Sequence, residues 1–384
     1  MTRIGYGRQD LVEADVAAVV AALRSGWLTQ GPAVERFEQA VAQYCGASHA
    51  VAVSSGSAAL HLACRALDLG PGDALWTSPN TFAASANGAR HCGAAVDFVD
   101  VEPDSGNLSV ERLAEKLART EAAGRLPRAV VPVHFAGRPC DLGGVHALAA
   151  RYGFRVIEDA CHALGATCDG HRVGGGAQLD VAVLSFHPVK SITTGEGGMV
   201  LTHDAALADR VRRLRSHGMT RDAALMPEPP DGPWRSAQVE LGYNYRLTDL
   251  QCALGAQQLT RLDELVARRR ERVAGYAQRL AGLPLRLPEE PDGASSAWHL
   301  YVVRFEDAAR RRPAFEALAA DGIDCQVHYY PLHLQPYYRQ AGFAPGDFPE
   351  AERHYREALS LPLFPALTEA DQARVAEVLR RVLA

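Results

Sequence analysis

Among the 40 basic side chains of this 384-residue sequence only Lys116 and Lys190 are lysines; the other 38 are arginines. Where a surface cation is needed the chain uses Arg, so a retained primary amine calls for a reason: an amine can condense with a carbonyl group, which a guanidinium does not do. Lys116 lies in ERLAEKLART, where apolar residues recur at helical spacing, and an exposed helical face accounts for it. Lys190 lies in SFHPVKSITTGEGGMV, after one apolar run and before another. The Lys precedes the glycines, so the segment is not a P-loop. A desolvated amine there sheds its charge readily and becomes a nucleophile, and the neighbouring glycines let backbone approach a ligand closely. The plainer reading is a buried, ion-paired lysine.

Four other segments supply what such an amine would need. Asp159 ends the apolar run of VIEDACHALGA, where a carboxylate points to the mouth of an α/β sheet. There it can pair with a protonated pyridine nitrogen, the arrangement that makes pyridoxal phosphate (PLP) an electron sink. Taken alone, Asp159 could equally cap a helix. Glu158, next to it, faces the other side of the strand. His162 can pack on or hydrogen-bond to a cofactor ring, although a lone His is more often structural. In VAVSSGSAALHLA, Gly56 and Ser57 open a helix whose free amides and dipole attract a phosphate, unless Ser57 is only an N-cap. Ser185 offers a further hydroxyl. Phe82, in SPNTFAASANG, can stack on a pyridine ring or pack in the core.

These residues need a scaffold that brings strand ends together. VAVSS, ALWTS, AVDFVD, AVVPVH, RVIEDA, VAVLSF and MVLTHD read as strands, with helical patterns between most of them. Such alternation predicts an α/β fold with a mainly parallel sheet covered by helices on both faces. LVEADVAAVVAALR and VERFEQAVAQYC predict two helices ahead of the first strand, residues 221–240 a loop, and residues 247–283 one long helix. The remainder reads as a small α+β unit: strand HLYVVRF, helix RRPAFEALAADG, the polar-aromatic QVHYYPLHLQPYY and a final helix. The predicted division is residues 1–255 and 256–384.

Composition removes several classes of function. A net charge of −5 carries no footprint for nucleic acid. The eight cysteines form no C-x-x-C pair, which argues against a metal ribbon or disulfide framework and fits reduced thiols in a cytoplasm. The N-terminus lacks an apolar signal core, and no run of about 18 apolar residues suggests a membrane span.

Taken together, YGRQ, LTQGPAVERFE, SSGSAALHLA, SPNTFAASANG, IEDACHALGA, SFHPVKSITTGEGGMV, RSHGM, GYNYRLTDLQCALG and VHYYPLHLQPYY resemble the DegT/StrS family of nucleotide-sugar aminotransferases, which are fold-type-I PLP enzymes. The resemblance implies that Lys190 is the Schiff-base lysine and proton shuttle and Asp159 the pyridinium partner. It makes His162 and Phe82 ring contacts, and Gly56, Ser57 and Ser185 phosphate or nearby substrate contacts. Asn244 would reach the phosphate from the other subunit of a homodimer whose active sites are shared. Tyr6, Gly26, Trp27, Leu28, Thr29, His328, Tyr329, Tyr330 and Pro331 would line a sugar-nucleotide site. Arg246 would meet an acidic donor or a diphosphate, or serve the interface. DACHALGA, FHPVKSITTGEGG and VHYYPLHLQPYY are also similar to the pseudaminic-acid branch of the family. That branch aminates C4 of a UDP-linked 4-keto-6-deoxy-N-acetylhexosamine with L-glutamate. Two other readings stay open: a perosamine-type 4-aminotransferase and a non-catalytic regulatory protein on the same fold. Relatives that replace the lysine with His are sugar dehydratases, and Lys190 argues against that activity.

Overall fold

A computed structural model describes residues 3–290 and 293–384; Pro291 and Asp292, in the stretch expected to end the long helix, lie outside them. The centre is a seven-stranded sheet. Its strands are β1 (His49–Val53), β2 (Ala74–Thr77), β3 (Ala95–Phe98), β4 (Ala129–Val131), β5 (Arg155–Asp159), β6 (Val181–Ser185) and β7 (Gly198–Thr202). Their order is β1-β7-β6-β5-β4-β2-β3. Only β7 runs antiparallel, against both β1 and β6; the pairs β2–β3, β2–β4, β4–β5 and β5–β6 are parallel.

Alternation along the strands divides the core. Val181 and Val183 face one helical layer, and Ala182 and Leu184 face the other. Helices α1 (Glu13–Arg24) and α2 (Pro32–Cys45) precede the sheet. Helix α3 (Gly56–Ala66) follows β1 and α4 (Ala84–His91) follows β2. Helices α5 (Val110–Glu121) and α6 (Leu142–Tyr152) precede β4 and β5, and α7 (Ala205–Leu214) follows β7.

The long helix expected over 247–283 is two helices, α8 (Asp249–Leu259) and α9 (Leu262–Leu280). Thr260 still has helical angles, but the chain leaves them at Arg261, with φ −106° and ψ 0°. Neither residue is Gly or Pro, so the pattern carried no break signal. Beyond α9 lies a three-stranded antiparallel sheet of β8 (Leu285–Arg286), β9 (Tyr301–Phe305) and β10 (Ala358–Leu361). It packs with α9, α10 (Arg311–Ala320) and the C-terminal Glu369–Leu383 helix around a separate core. Ile4 joins that core from the other end of the chain, bridged to Ile323.

Lys116 departs from expectation. Its side chain is 14% exposed rather than free on a helix face. Helix α5 lies over the sheet edge, and the ammonium folds back to Asp97 at 2.6 Å and to the Phe98 carbonyl at 2.5 Å.

Candidate active site

Register brings the chemical groups together. Gly198 pairs with Val53 on one side and with Ser185 on the other, so the ends of β1 and β6 flank one glycine. A Cβ at Gly198 would lie 2.4 Å from the Ser55 carbonyl oxygen, so only Gly fits this close approach. Asp159 pairs with Val183 on the next strand. Lys190 sits in the turn after β6, its amide bonded to the His187 carbonyl at 2.9 Å. The ends of β1, β2, β5 and β6 thus surround a cavity of about 470 Å³, lined among others by Tyr6, Gly56, Phe82, Asp159, Lys190 and Tyr329.

Asp159 is 5% exposed. Its Oδ2 accepts from Ser85 Oγ at 2.7 Å and its Oδ1 from the Cys161 amide at 3.2 Å. Ser85 in turn lies 2.8 Å from Thr81 Oγ1, so the carboxylate is oriented by a short chain of groups on β5, its following turn and α4. Glu158 points the other way, bonding His134 Nε2 at 2.8 Å and the Gly174 amide at 3.0 Å. The Lys190 amine makes no hydrogen bond or ion pair among the described residues. Burial lowers its pKa, partly offset by Cys161 and Asp159.

At the start of α3 the N-cap is Ser55, whose hydroxyl accepts from the Ala58 amide at 3.0 Å. Ser57 is therefore not the cap. The Gly56 and Ser57 amides have no intrahelical acceptor and lie at the positive end of the helix. A Cβ on Gly56 would come within 3.0 Å of Ser185 Cβ and 3.3 Å of Cys161 Sγ, so Gly56 keeps this cradle open.

The opposite wall comes from the aromatic segment after α10. The Leu332 amide bonds the Pro79 carbonyl at 2.9 Å, and the Tyr329 amide bonds Asn80 Oδ1 at 3.3 Å. These bonds set Tyr329 with its ring 6.3 Å from Phe82 and its hydroxyl 3.4 Å from His162 Nε2. Phe82 is 61% exposed, which excludes the core-packing reading. Three histidines meet here. His299 lies 4.3 Å from His162, ring to ring, and His328 Nδ1 lies 2.8 Å from Ser360 Oγ. Burial, then the Lys190 charge, pushes all three towards the neutral imidazole, His328 to about 4. Burial also raises the Tyr329 and Tyr6 phenols, so both stay protonated donors.

The cavity gathers Tyr6, Gly56, Ser57, Phe82, Asp159, His162, Ser185, Lys190, His328 and Tyr329. Other expected residues lie outside this chain's cavity. Gly26, Trp27, Leu28 and Thr29 form an exposed turn, tied to the start of α8 by Gln30 to the Leu247 carbonyl at 3.0 Å and by the Gly31 amide to Asp249 at 3.0 Å. Asn244 is exposed, bridged to Ser216, and Arg246 extends to Ser216 Oγ at 3.5 Å. Tyr330 turns outward against Tyr355, the rings 5.1 Å apart, and Pro331 is buried beyond it. Ser85, Cys161 and His299 line the cavity but were not singled out from sequence. Ser85 lies one turn after Phe82 in a segment already of interest. His299 belonged to a stretch read only as strand; Trp298 before it has φ +49°, and the buried Arg269 bonds the carbonyls of Trp298, His299 and Leu363 at 3.3, 3.4 and 3.0 Å.

A free amine, an anchored carboxylate with two strands between it and a helix-start phosphate cradle, and an exposed aromatic ring facing the same cavity fit PLP: Gly56 and Ser57 would hold the phosphate, Asp159 the pyridine nitrogen and Lys190 the aldehyde carbon. The fold and this site define a PLP-dependent transferase of fold type I. Residues 9–380 match the DegT/DnrJ/EryC1/StrS aminotransferase family, and the chain belongs to it. It is 39% identical to the spore coat polysaccharide biosynthesis protein SpsC of Bacillus subtilis, covering 96% of this chain and 94% of that one. The putative sugar aminotransferase Spr1654 of Streptococcus pneumoniae, solved in its PMP form, superposes with a TM-score of 0.90 at 30% identity, covering 99% and 98% of the two chains. PseC of Helicobacter pylori, an aminotransferase involved in the biosynthesis of pseudoaminic acid, superposes at 0.91 with 28% identity, covering 100% and 99%. The chain is a sugar aminotransferase of this family, and PLP is its cofactor. Among the described residues no helix is long and apolar enough to cross a membrane.

Proposed function

We propose that the chain transfers an amino group from L-glutamate to C4 of a UDP-linked 4-keto-6-deoxy-N-acetylhexosamine, the reaction that leads to pseudaminic acid. The observation that carries the transamination is the Lys190 amine, unpaired and with its pKa lowered, in the same cavity as the anchored Asp159. When bound, PLP supplies the electron sink for the carbon that loses its proton. Lys190 takes that proton from the donor carbon and later delivers one to C4 of the sugar, as a general base and acid within reach of both atoms. Asp159, held by Ser85 and the Cys161 amide, keeps a proton on the pyridine nitrogen. The Gly56 and Ser57 amides with Ser185 would hold the cofactor's phosphate, and Phe82 and His162 would contact its ring. Tyr6, His328 and Tyr329 meet the sugar with uncharged donors and acceptors, as a neutral ring requires.

The choice of sugar draws support from the likeness to PseC along the whole chain. Lys190 is the only basic side chain other than histidine among the cavity's lining residues, so glutamate's carboxylates and the diphosphate need cations from elsewhere. In this reading a second copy supplies Arg246 as that cation, with the exposed turn 26–29 and Asn244 as uncharged contacts, all belonging to the partner's site in a homodimer. A second reading, amination at C4 of a different nucleotide-linked ketosugar, draws on the higher identity to SpsC, a protein named for spore coat polysaccharide biosynthesis and not for pseudaminic acid. The test incubates holoenzyme with glutamate and a panel of UDP- and dTDP-linked 4-keto sugars, then identifies the products. Turnover of the UDP-linked N-acetyl sugar supports the first reading; turnover confined to a dTDP-linked sugar overturns it.

A further inference from the structure

A second chamber, of about 560 Å³, lies where the core of the large sheet meets that of the small one. The large-sheet side contributes Asp104, Phe135 and Arg138; β9 contributes Arg304, and His354 closes it. Both arginines are more than nine-tenths buried, Arg138 at 8% and Arg304 at 6% exposure. They converge from opposite sides of the boundary.

Among the described residues Arg138 has no carboxylate within ion-pairing distance. It makes one bond, to the Asp104 main-chain carbonyl at 3.3 Å, and its buried Nε has no partner. Burial, then the Arg304 charge, lowers its pKa, partly offset by Asp104, Glu289 and Glu290; Glu289 and Arg286 also line the chamber, one charge of each sign. Arg304 bonds the Pro103 carbonyl, meets the Asp104 carboxylate at 3.0 Å and lies 3.7 Å from Glu357. The Asp104 side chain is 89% exposed, so water screens that pair strongly. His354 is 3% exposed, with Nδ1 unpartnered, and burial holds it neutral with a pKa of about 3. Phe135, Leu285, Leu300 and Val302 supply an apolar wall. Arg304 has a partly buried carboxylate partner in Glu357, 13% exposed, whereas Arg138 has none among the described residues; an anion in the chamber would compensate Arg138 and bridge to Arg304, and the guanidinium fork suits an oxyanion.

We propose that this chamber binds an organic oxyanion, its phosphate or carboxylate head between Arg138 and Arg304 and its apolar body on the Phe135–Leu300 wall. Such a ligand would tie the two cores together. It would also sit one ring from the active cavity, since Phe135 lies 6.3 Å from Tyr329. The proposal is independent of which sugar the enzyme aminates.

The experiment titrates holoenzyme with phenyl phosphate, benzoate and inorganic phosphate at matched ionic strength, reading heat of binding and thermal midpoint. Phenyl phosphate or benzoate is expected to bind saturably and raise the midpoint; whichever head group binds more tightly identifies the natural one. Inorganic phosphate, lacking the apolar body, should bind about tenfold more weakly than phenyl phosphate. Arg138→Gln should weaken binding at least about tenfold. Ser105→Glu, which adds a carboxylate to the lining, should raise the starting midpoint and abolish the response; it keeps the test decisive if Arg138→Gln folds poorly. Absence of saturable binding, or equal binding by wild type and both variants, overturns the proposal.

Discussion

At the edge of the sheet the Lys116 ammonium meets Asp97 at 2.6 Å, donates to the Phe98 carbonyl and lies 4.7 Å from the centre of the Trp76 ring. Near the sheet's middle the Lys190 amine lines a cavity beside Asp159 and Cys161 and bonds to neither. Burial lowers the pKa of both. The difference lies in what each neighbourhood leaves undone. Around Lys116 every strong partner is supplied, so its charge is compensated and its place is structural. Around Lys190 the donors and acceptors are aligned with one another, Ser85 to Asp159 and Ser55 to Ala58, and the amine is left over. Rarity alone marks both lysines; only the unpaired one is available for chemistry.

The largest effect that can break this contrast is on turnover. Lys190→Arg should lower the transamination rate by about a thousandfold or more in single-turnover assays, whereas Lys116→Arg should stay within about twofold because the guanidinium can still reach Asp97. Equal losses would erase the distinction. Next comes Asp159→Asn, which keeps the shape but removes the charge held by Ser85; the rate should fall about a hundredfold, measured under saturating cofactor.

Stability sharpens the comparison in the opposite direction. In the cofactor-free protein Lys190→Met should raise stability at pH 7 by about 1 kcal/mol, since it removes a charge buried without a partner. Lys116→Met should lower it by about 1 kcal/mol, through the lost ion pair and the unpaired Phe98 carbonyl. The pH dependence has a definite sign. The folded-state pKa of Lys190 lies below its ordinary 10.5. The penalty of the buried ammonium is therefore full below the folded value and shrinks as pH rises through the interval up to 10.5. The advantage of Lys190→Met in urea melts should shrink over the same interval. The smallest effect is at the cradle. Gly56→Ala crowds Ser185 and Cys161 and should weaken cofactor binding about tenfold in equilibrium titrations, with little change in fold.

Much of this site was legible because its chemistry is carried by residue types at strand ends. Lys190, Asp159, Gly56 and Ser185 each follow or end an apolar run, and a parallel sheet collects such ends on one side. MVLTHD read as a strand, but nothing in its pattern gave a direction, and β7 is the one strand that runs backwards. The break at Arg261 has no Gly or Pro, and Ile4 reaches the C-terminal core across the whole chain. Ser85 and His299 escaped because their roles depend on partners distant in sequence: 74 residues separate Ser85 from Asp159, and Arg269 fixes the turn at His299. Lys116 was misplaced because helical spacing shows a face without showing what that face covers.

The central claim is that Lys190, and not Lys116, carries the cofactor. Borohydride reduction of the purified yellow holoenzyme, followed by proteolysis and mass mapping, tests it directly. The account predicts a pyridoxyl mass on the peptide containing Lys190, with Lys116 unmodified. A label on Lys116, or a colourless protein that takes up no added PLP, would contradict it.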